Sequence, residues 1–344
     1  MNDIINSIQA EFDKKPTNID SELMQLLTSA KLDLSQNIPD PQMLVSKSEL
    51  PICTRGNFSF VIGLPGARKS FLCTGIAGAF INENGCMGLD NPNGTGNILW
   101  IDTEQAPGHV GRVGRRLHRI AGFPTDINSS NVNIYLLREF QPDLRRKVFL
   151  AAVELHRPDF IVLDGVSDLI KDPNNSEQAT SVITELMRVT KEYDCHILTV
   201  IHANVGSEKA RGHLGSEALR KCETAILVEA DGDCSVCKWA KTRDMRPSDF
   251  AFTVQNGLPI EVEYKSKESR ADKLQQDIIA AMPPLPNVIV FKDLTARIMS
   301  VSGIKYDASV KRIKKAVEKG YIIKNETGMY HLPNNPEKQE NLPF

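Results

Sequence analysis

A chain of 344 residues with 41% hydrophobic and 24% charged residues has the composition of an ordinary folded protein, long enough for more than one core. Lys plus Arg number 41 against 43 Asp plus Glu, a formal net charge of -2, so any case for a nucleic-acid partner has to rest on local charge. No apolar run reaches the roughly 20 residues that span a bilayer, the opening MNDIINSIQAEFDKKP lacks a signal peptide's pattern, and the 7 scattered cysteines suit a reducing compartment; a cytoplasmic chain with no membrane partner is expected.

Residues 1–48 are polar with intermittent apolar positions such as Leu23, Leu26 and Leu27, and are predicted to form an N-terminal helical and linker segment without chemistry of its own. From 49 to 264 strand-like and helix-like runs alternate, which predicts an α/β domain with a mostly parallel sheet sandwiched by helices. The first strand, Ser59–Ile62, breaks at Gly63, and a helical run of small and apolar residues follows from Phe71 to Phe80.

Between them, Gly63-Leu64-Pro65-Gly66-Ala67-Arg68-Lys69-Ser70 fits the phosphate-binding loop at every fixed position except one. In such a loop backbone N–H groups and a helix N-terminus cradle phosphate, a lysine neutralises the β- and γ-oxygens, and a hydroxyl ligates Mg²⁺. Gly63, Pro65, Gly66, Ala67, Arg68, Lys69, Ser70 and Phe71 are therefore expected to hold ATP, with Mg²⁺ on Ser70. Arg68 is the departure: it stands where the pattern has its second glycine, where a side chain crowds the backbone approach but a guanidinium adds charge beside the phosphates.

The strand Asn97–Thr103 delivers Glu104 to its carboxyl end, where active groups of open α/β sheets collect, and Glu104 is expected to orient the attacking water. The next helix carries Arg112, Arg115, Arg116 and Arg119, a run that suits a face toward a neighbouring subunit but is better read as a solvated face. Four apolar residues, Phe160–Leu163, run into Asp164, the predicted Mg²⁺-side carboxylate, with Asp168 a weaker candidate nearby. The strand from His196 ends in His202, placed to sense the γ-phosphate, and the glycine-rich loop beyond it offers Lys209 and Arg211 to DNA, a plain surface loop being nearly as good a reading. A hairpin around Asp231-Gly232 closes in Lys241-Thr242-Arg243; basic residues on a sheet edge deter aggregation, and here they can also reach a neighbour's γ-phosphate.

In their order these residues resemble the RecA-type P-loop ATPases, and within them the branch of hexameric replicative helicases of the RepA kind found on plasmids and mobile elements. The resemblance covers about 50–264. It implies that Glu104 is the catalytic carboxylate, Asp164 the Mg²⁺-side aspartate, His202 the γ-phosphate switch, and Arg243, with Lys241, the finger inserted into the next subunit's site. It further implies a homo-oligomer, a hexameric ring in the RepA branch, that moves along single-stranded DNA.

After 264 the texture changes. Residues 265–284 are predicted as a helical connector and first helix, 285–333 as a small module of helices and a hairpin resembling a winged helix, and 334–344 as a disordered tail. Between Lys292 and Lys324 there are nine basic residues against three acidic ones, and Lys311, Arg312 and Lys315 lie on the presumed recognition helix, with Val310, Ile313 and Val317 expected toward the core. Winged helices serve DNA binding and protein docking alike. The leading functional expectation is an ATP-driven DNA helicase or translocase; the alternatives are a nucleotide-switched DNA-binding protein with little hydrolysis and a factor that loads a helicase partner.

Overall fold

The apolar runs that end at a glycine, a carboxylate or a histidine lie side by side. In the computed structural model, which describes residues 20–94, 96–203, 212–264, 267–284 and 287–333, one nine-stranded sheet has the order β11-β10-β9-β8-β3-β7-β6-β4-β5. Strands β3 (Phe58–Gly63), β4 (Ile98–Asp102), β5 (Val132–Leu136), β6 (Phe160–Asp164), β7 (His196–His202) and β8 (Ala225–Asp231) are parallel. An antiparallel extension follows through β9 (Cys234–Lys241), β10 (Phe250–Gln255) and β11 (Leu258–Val262).

All residues of β3, β4 and β6 are buried, as expected where helices cover both faces of a parallel sheet. Period-two alternation splits them between two cores. Ile98, Trp100, Phe160 and Val162 join the core under α2 (Lys69–Ile81) and α3 (Pro107–Ala121). Leu99, Ile101, Ile161 and Leu163 join the one under α4 (Pro142–His156), α5 (Ser176–Glu192) and α6 (Gly212–Lys221). This layering fits the RecA-like α/β fold. Register then does the positioning: Gly63 pairs with His202 and Asp102 with Asp164, so four strand tips share one edge.

Two expectations need correction. The linker does not extend to residue 48, because Met43–Lys47 is a strand, β1, paired with β2 (Leu50–Thr54), and Leu44 and Val45 are wholly inside the first core. Five residues buried almost continuously show neither period, so the sequence pattern gave no strand signal there. Before β1, α1 (Ser21–Ala30) buries none of its residues.

The C-terminal residues form α7 (Lys267–Ala281), α8 (Phe291–Ser302), α9 (Tyr306–Glu318) and a short pair, β12 (Ile323–Lys324) with β13 (Tyr330–His331). They share a separate core that includes Ile278, Leu294, Ile298, Ile313 and Ile322. Here the second correction falls: α9 buries Ser309, Ile313 and Ala316, while Val317 is exposed. The small Ser309 and Ala316 allow close helix approach, and the buried stripe is rotated one residue from the one expected. No described helix is long and apolar enough to cross a membrane.

Phe160 stacks on Phe80 with ring centroids 5.2 Å apart, both nearly inaccessible, so Phe160→Ala leaves a cavity at the centre of the first core. Urea denaturation should show a loss of about 3–5 kcal/mol.

Candidate active site

The glycine-rich loop is clasped at its start. A β-carbon at Gly63 would lie 2.7 Å from the Val228 carbonyl oxygen of β8, so only glycine fits. Gly66 and Arg68 both take positive φ, at 81° and 67°, and α2 begins directly at Lys69 without a side-chain cap. Among the described residues, the amides of Arg68, Lys69 and Ser70 therefore reach no acceptor. Successive unpaired N–H groups at a helix N-terminus form an anion cradle. The Phe71 amide is not part of it, since it donates to the Arg68 carbonyl at 3.0 Å.

Lys69 is buried and folds back on its own loop, Nζ donating to the Gly63 and Leu64 carbonyls at 3.1 Å each. Burial lowers its pKa, against the pull of Glu104 and Asp164. Nζ also lies 3.4 Å from His202 Nδ1, and His202 Nε2 lies 3.2 Å from Glu104 Oε1. With the ammonium as donor, Nδ1 must accept, which leaves the proton on Nε2 to be donated to the carboxylate. Lysine, histidine and glutamate from three elements thus form one chain of hydrogen bonds. The His202 contact, ahead of a smaller opposing effect of burial, holds the Glu104 pKa below the usual carboxylate range.

The second row is more deeply buried. Ser70 Oγ donates to Asp164 Oδ2 at 2.8 Å, and Gln105 Nε2 bridges Asp102 Oδ2 at 2.8 Å and Asp164 Oδ2 at 3.3 Å. Burial pushes Asp164 up to about 6; Asp102 and Glu104 add to that, and the Ser70 hydroxyl and Lys69 oppose it. Asp102 accepts the backbone N–H of both Glu104, at 3.0 Å, and Gln105, at 2.7 Å, fixing the turn that presents Glu104. Thr103 Oγ1 lies 2.8 Å from Asp168 Oδ2 and 3.0 Å from the Asp164 carbonyl. A β-carbon at Gly165 would fall 2.1 Å from that hydroxyl. Asp102, Thr103 and Gln105 were absent from the sequence expectations; the available signal was adjacency, because they flank Glu104 directly.

Other expected residues stand elsewhere. The Arg68 guanidinium lies on the β8–β9 hairpin, Nη1 being 3.2 Å from Ser235 Oγ. Lys241 Nζ donates to the Leu219 and Arg220 carbonyls, and Arg243 to Asn57 Oδ1 and the Lys221 carbonyl. Lys241 pairs with Ala225, at the start of β8, so both residues sit at the opposite end of the sheet from the glycine-rich loop. Lys209 and Arg211 lie outside the described residues. Lys311 and Lys315 are exposed on α9, whereas Arg312 is tied to Asp277 of α7 at 2.6 Å and so is engaged within the module.

The arginine run of α3 is not simply a solvated face. Arg116 is buried, donating to the Gly257 carbonyl at 2.9 Å and Thr74 Oγ1 at 3.2 Å, with its guanidinium 3.6 Å from the Phe71 ring centroid. Burial lowers its pKa to about 10. Beside it a cleft of about 500 Å³, lined by Ser70, Phe71, Gln105, Arg112, Arg115 and Arg119 among others, opens from the loop.

Comparison with family models matches residues 21–208 to the AAA domain, more than half of the chain. The match takes in the loop and the tips of β4, β6 and β7, and stops short of Lys241, Arg243 and the C-terminal module. No curated protein matches the sequence.

Asp164 gives a pH test. Its pKa is raised from 3.8 to about 6, so holding it ionised costs the fold stability. That cost is absent below about pH 4, grows between pH 4 and 6 and is complete above. In buffer free of nucleotide and magnesium, Asp164→Asn should stabilise the chain by about 1–3 kcal/mol at pH 7.5 and give no advantage at pH 4. Melting temperatures of the two proteins that differ equally at both pH values would count against it.

Proposed function

The chain belongs to the AAA-domain family of P-loop ATPases, and from that premise we propose that it is an ATP-driven DNA motor of RecA and RepA type, a helicase or translocase that hydrolyses ATP between subunits. One observation carries this reading: Lys69, Ser70, Glu104, Asp164 and His202, spread over 134 residues of chain, meet at neighbouring strand tips around an open anion cradle.

The geometry supplies a role for each group. The unpaired amides of Arg68, Lys69 and Ser70 receive phosphate oxygens, and Lys69 exchanges two backbone carbonyls for the β- and γ-oxygens. The hard-oxygen pair Ser70–Asp164 fits Mg²⁺, and a carboxylate with a raised pKa gains most from a nearby cation. Ser70 and Asp164 would hold the ion, which would supply positive charge against the phosphate oxygens. Glu104, kept ionised by His202 and exposed to the opening, accepts a proton from the attacking water. His202 bridges Glu104 and Lys69, so γ-phosphate arrival or loss at Lys69 reaches the segment after β7. The cleft beside Phe71 accommodates the nucleoside.

Arg243 and Lys241, remote from their own subunit's loop, suit a neighbour's site and hence a ring, with a hexamer the RepA-like choice. The C-terminal helices and hairpin act as a winged helix that contacts duplex backbone through Lys311 and Lys315, while the core handles single strands. A second reading, a nucleotide switch with slow turnover, is favoured by one feature, the arginine where the loop pattern has glycine.

Two experiments test this. Phosphate release from ATP should rise with single-stranded DNA, disappear in Lys69→Ala, and fall by about 100-fold or more in Glu104→Gln while ATP still binds; Arg243→Ala should be inactive alone and regain activity when mixed with Glu104→Gln. Tight ATP binding without turnover would favour the switch. For the module, replacing both Lys311 and Lys315 by alanine should reduce the salt slope of DNA affinity by about 2, and an unchanged slope assigns the module to protein docking.

A further inference from the structure

Arg68 occupies a left-handed backbone position, φ 67° and ψ 34°, that glycine adopts freely and a residue with a β-carbon does not. Its side chain points away from the cradle to the β8–β9 turn, with Nη1 3.2 Å from Ser235 Oγ and Nη2 3.5 Å from the Gly232 carbonyl. Ser235 is inaccessible to solvent, and its hydroxyl also donates to the Ala67 carbonyl at 3.1 Å. One buried hydroxyl therefore serves two successive loop residues, as donor to 67 and acceptor from 68.

The strand that carries this hydroxyl is fixed from both sides. Ser235 pairs with Ala230 of β8 and with Phe252 of β10. The loop is consequently clasped at its first residue by the lack of room beside Val228 and near its last by Ser235. Resting on the nucleotide reading above, we propose that Arg68 is a positioning residue: by clamping the loop to Ser235 of β9, it holds the neighbouring amides and Lys69 in the arrangement that receives the triphosphate, and it makes no phosphate contact itself. The clamp supplies the rigidity in this chain that offsets the strained backbone, and it accounts for the one departure from the loop pattern.

The experiment uses the full chain and the variants Arg68→Gly, Ser235→Ala, the double variant and Lys69→Ala, titrated with ATP and assayed for turnover. Glycine suits the left-handed position, so Arg68→Gly keeps the loop's path open while removing the clamp. Arg68→Gly should raise the ATP Kd and KM about tenfold and Ser235→Ala, which also loses the bond to Ala67, at least as much, with kcat falling less than KM rises, and the double variant should match Ser235→Ala alone instead of multiplying the two effects. If Arg68→Gly weakens binding while Ser235→Ala does not, the guanidinium acts on phosphate and the clamp is wrong; an additive double variant overturns it as well.

Amide hydrogen exchange separates this from the nucleotide reading. Without nucleotide, both single variants should speed exchange at the hydrogen-bonded amides of Ala67, Phe71 and Leu72, and unchanged exchange there overturns the clamp whatever ATP does. ATP binding unaltered by Lys69→Ala would instead overturn the nucleotide reading and leave the exchange result standing.

Discussion

Parallel register is the constraint from which the rest follows. Pairing Gly63 with His202 and Asp102 with Asp164 obliges the chain to bring a glycine, a histidine and two carboxylates to one edge of a buried sheet. A one-residue slip in β6 would turn Asp164 to the other face and exchange its apolar neighbours between the two cores, where Phe160 and Val162 would have to fit the space of Ile161 and Leu163, so core packing itself enforces the arrangement. The strands are almost wholly buried, which makes the register expensive to change and the site correspondingly rigid.

Gathering these groups has an electrostatic cost that is distributed unevenly. Asp102 and Asp164 are desolvated and carry raised pKa values, while Glu104, out at the opening, is held ionised by His202. Lys69, buried among carbonyls, has a lowered pKa and no direct ion pair among the described residues. Surplus carboxylate on one side and an ammonium without an ion pair beside free amides on the other complement an anion and a cation bound together. Polar satisfaction is otherwise thorough: Gln105 spans both aspartates, and Thr103 ties the β4 tip to the Asp164–Gly165 segment.

The loop and the β8–β9 turn form a unit that loop patterns alone do not describe. Where glycine would give freedom, this chain has an arginine whose strain is offset by contacts to an interior strand, so flexibility gives way to a fixed anchor. The same economy appears at Arg116, which closes the wall beside Phe71 by donating to a carbonyl and a hydroxyl and by stacking on the ring.

Much of this was already determined by the amino-acid order. Apolar runs punctuated by glycine or a charged residue identify β3, β4, β6 and β7, and the residues at or just beyond their ends are the candidate site residues, because a buried strand can change character only where it leaves the core. The segment Met43–Lys47 was invisible because a short strand buried on both faces carries no period, and the buried face of α9 was misread because stripes one residue apart differ only by small side chains. Tertiary structure alone decided that Arg68 meets Ser235, that Arg116 is interior, and that Gln105 joins two aspartates. Each of those outcomes depends on a partner between 3 and 167 residues away, and linear sequence records which groups a side chain offers but not which neighbour the fold brings within reach.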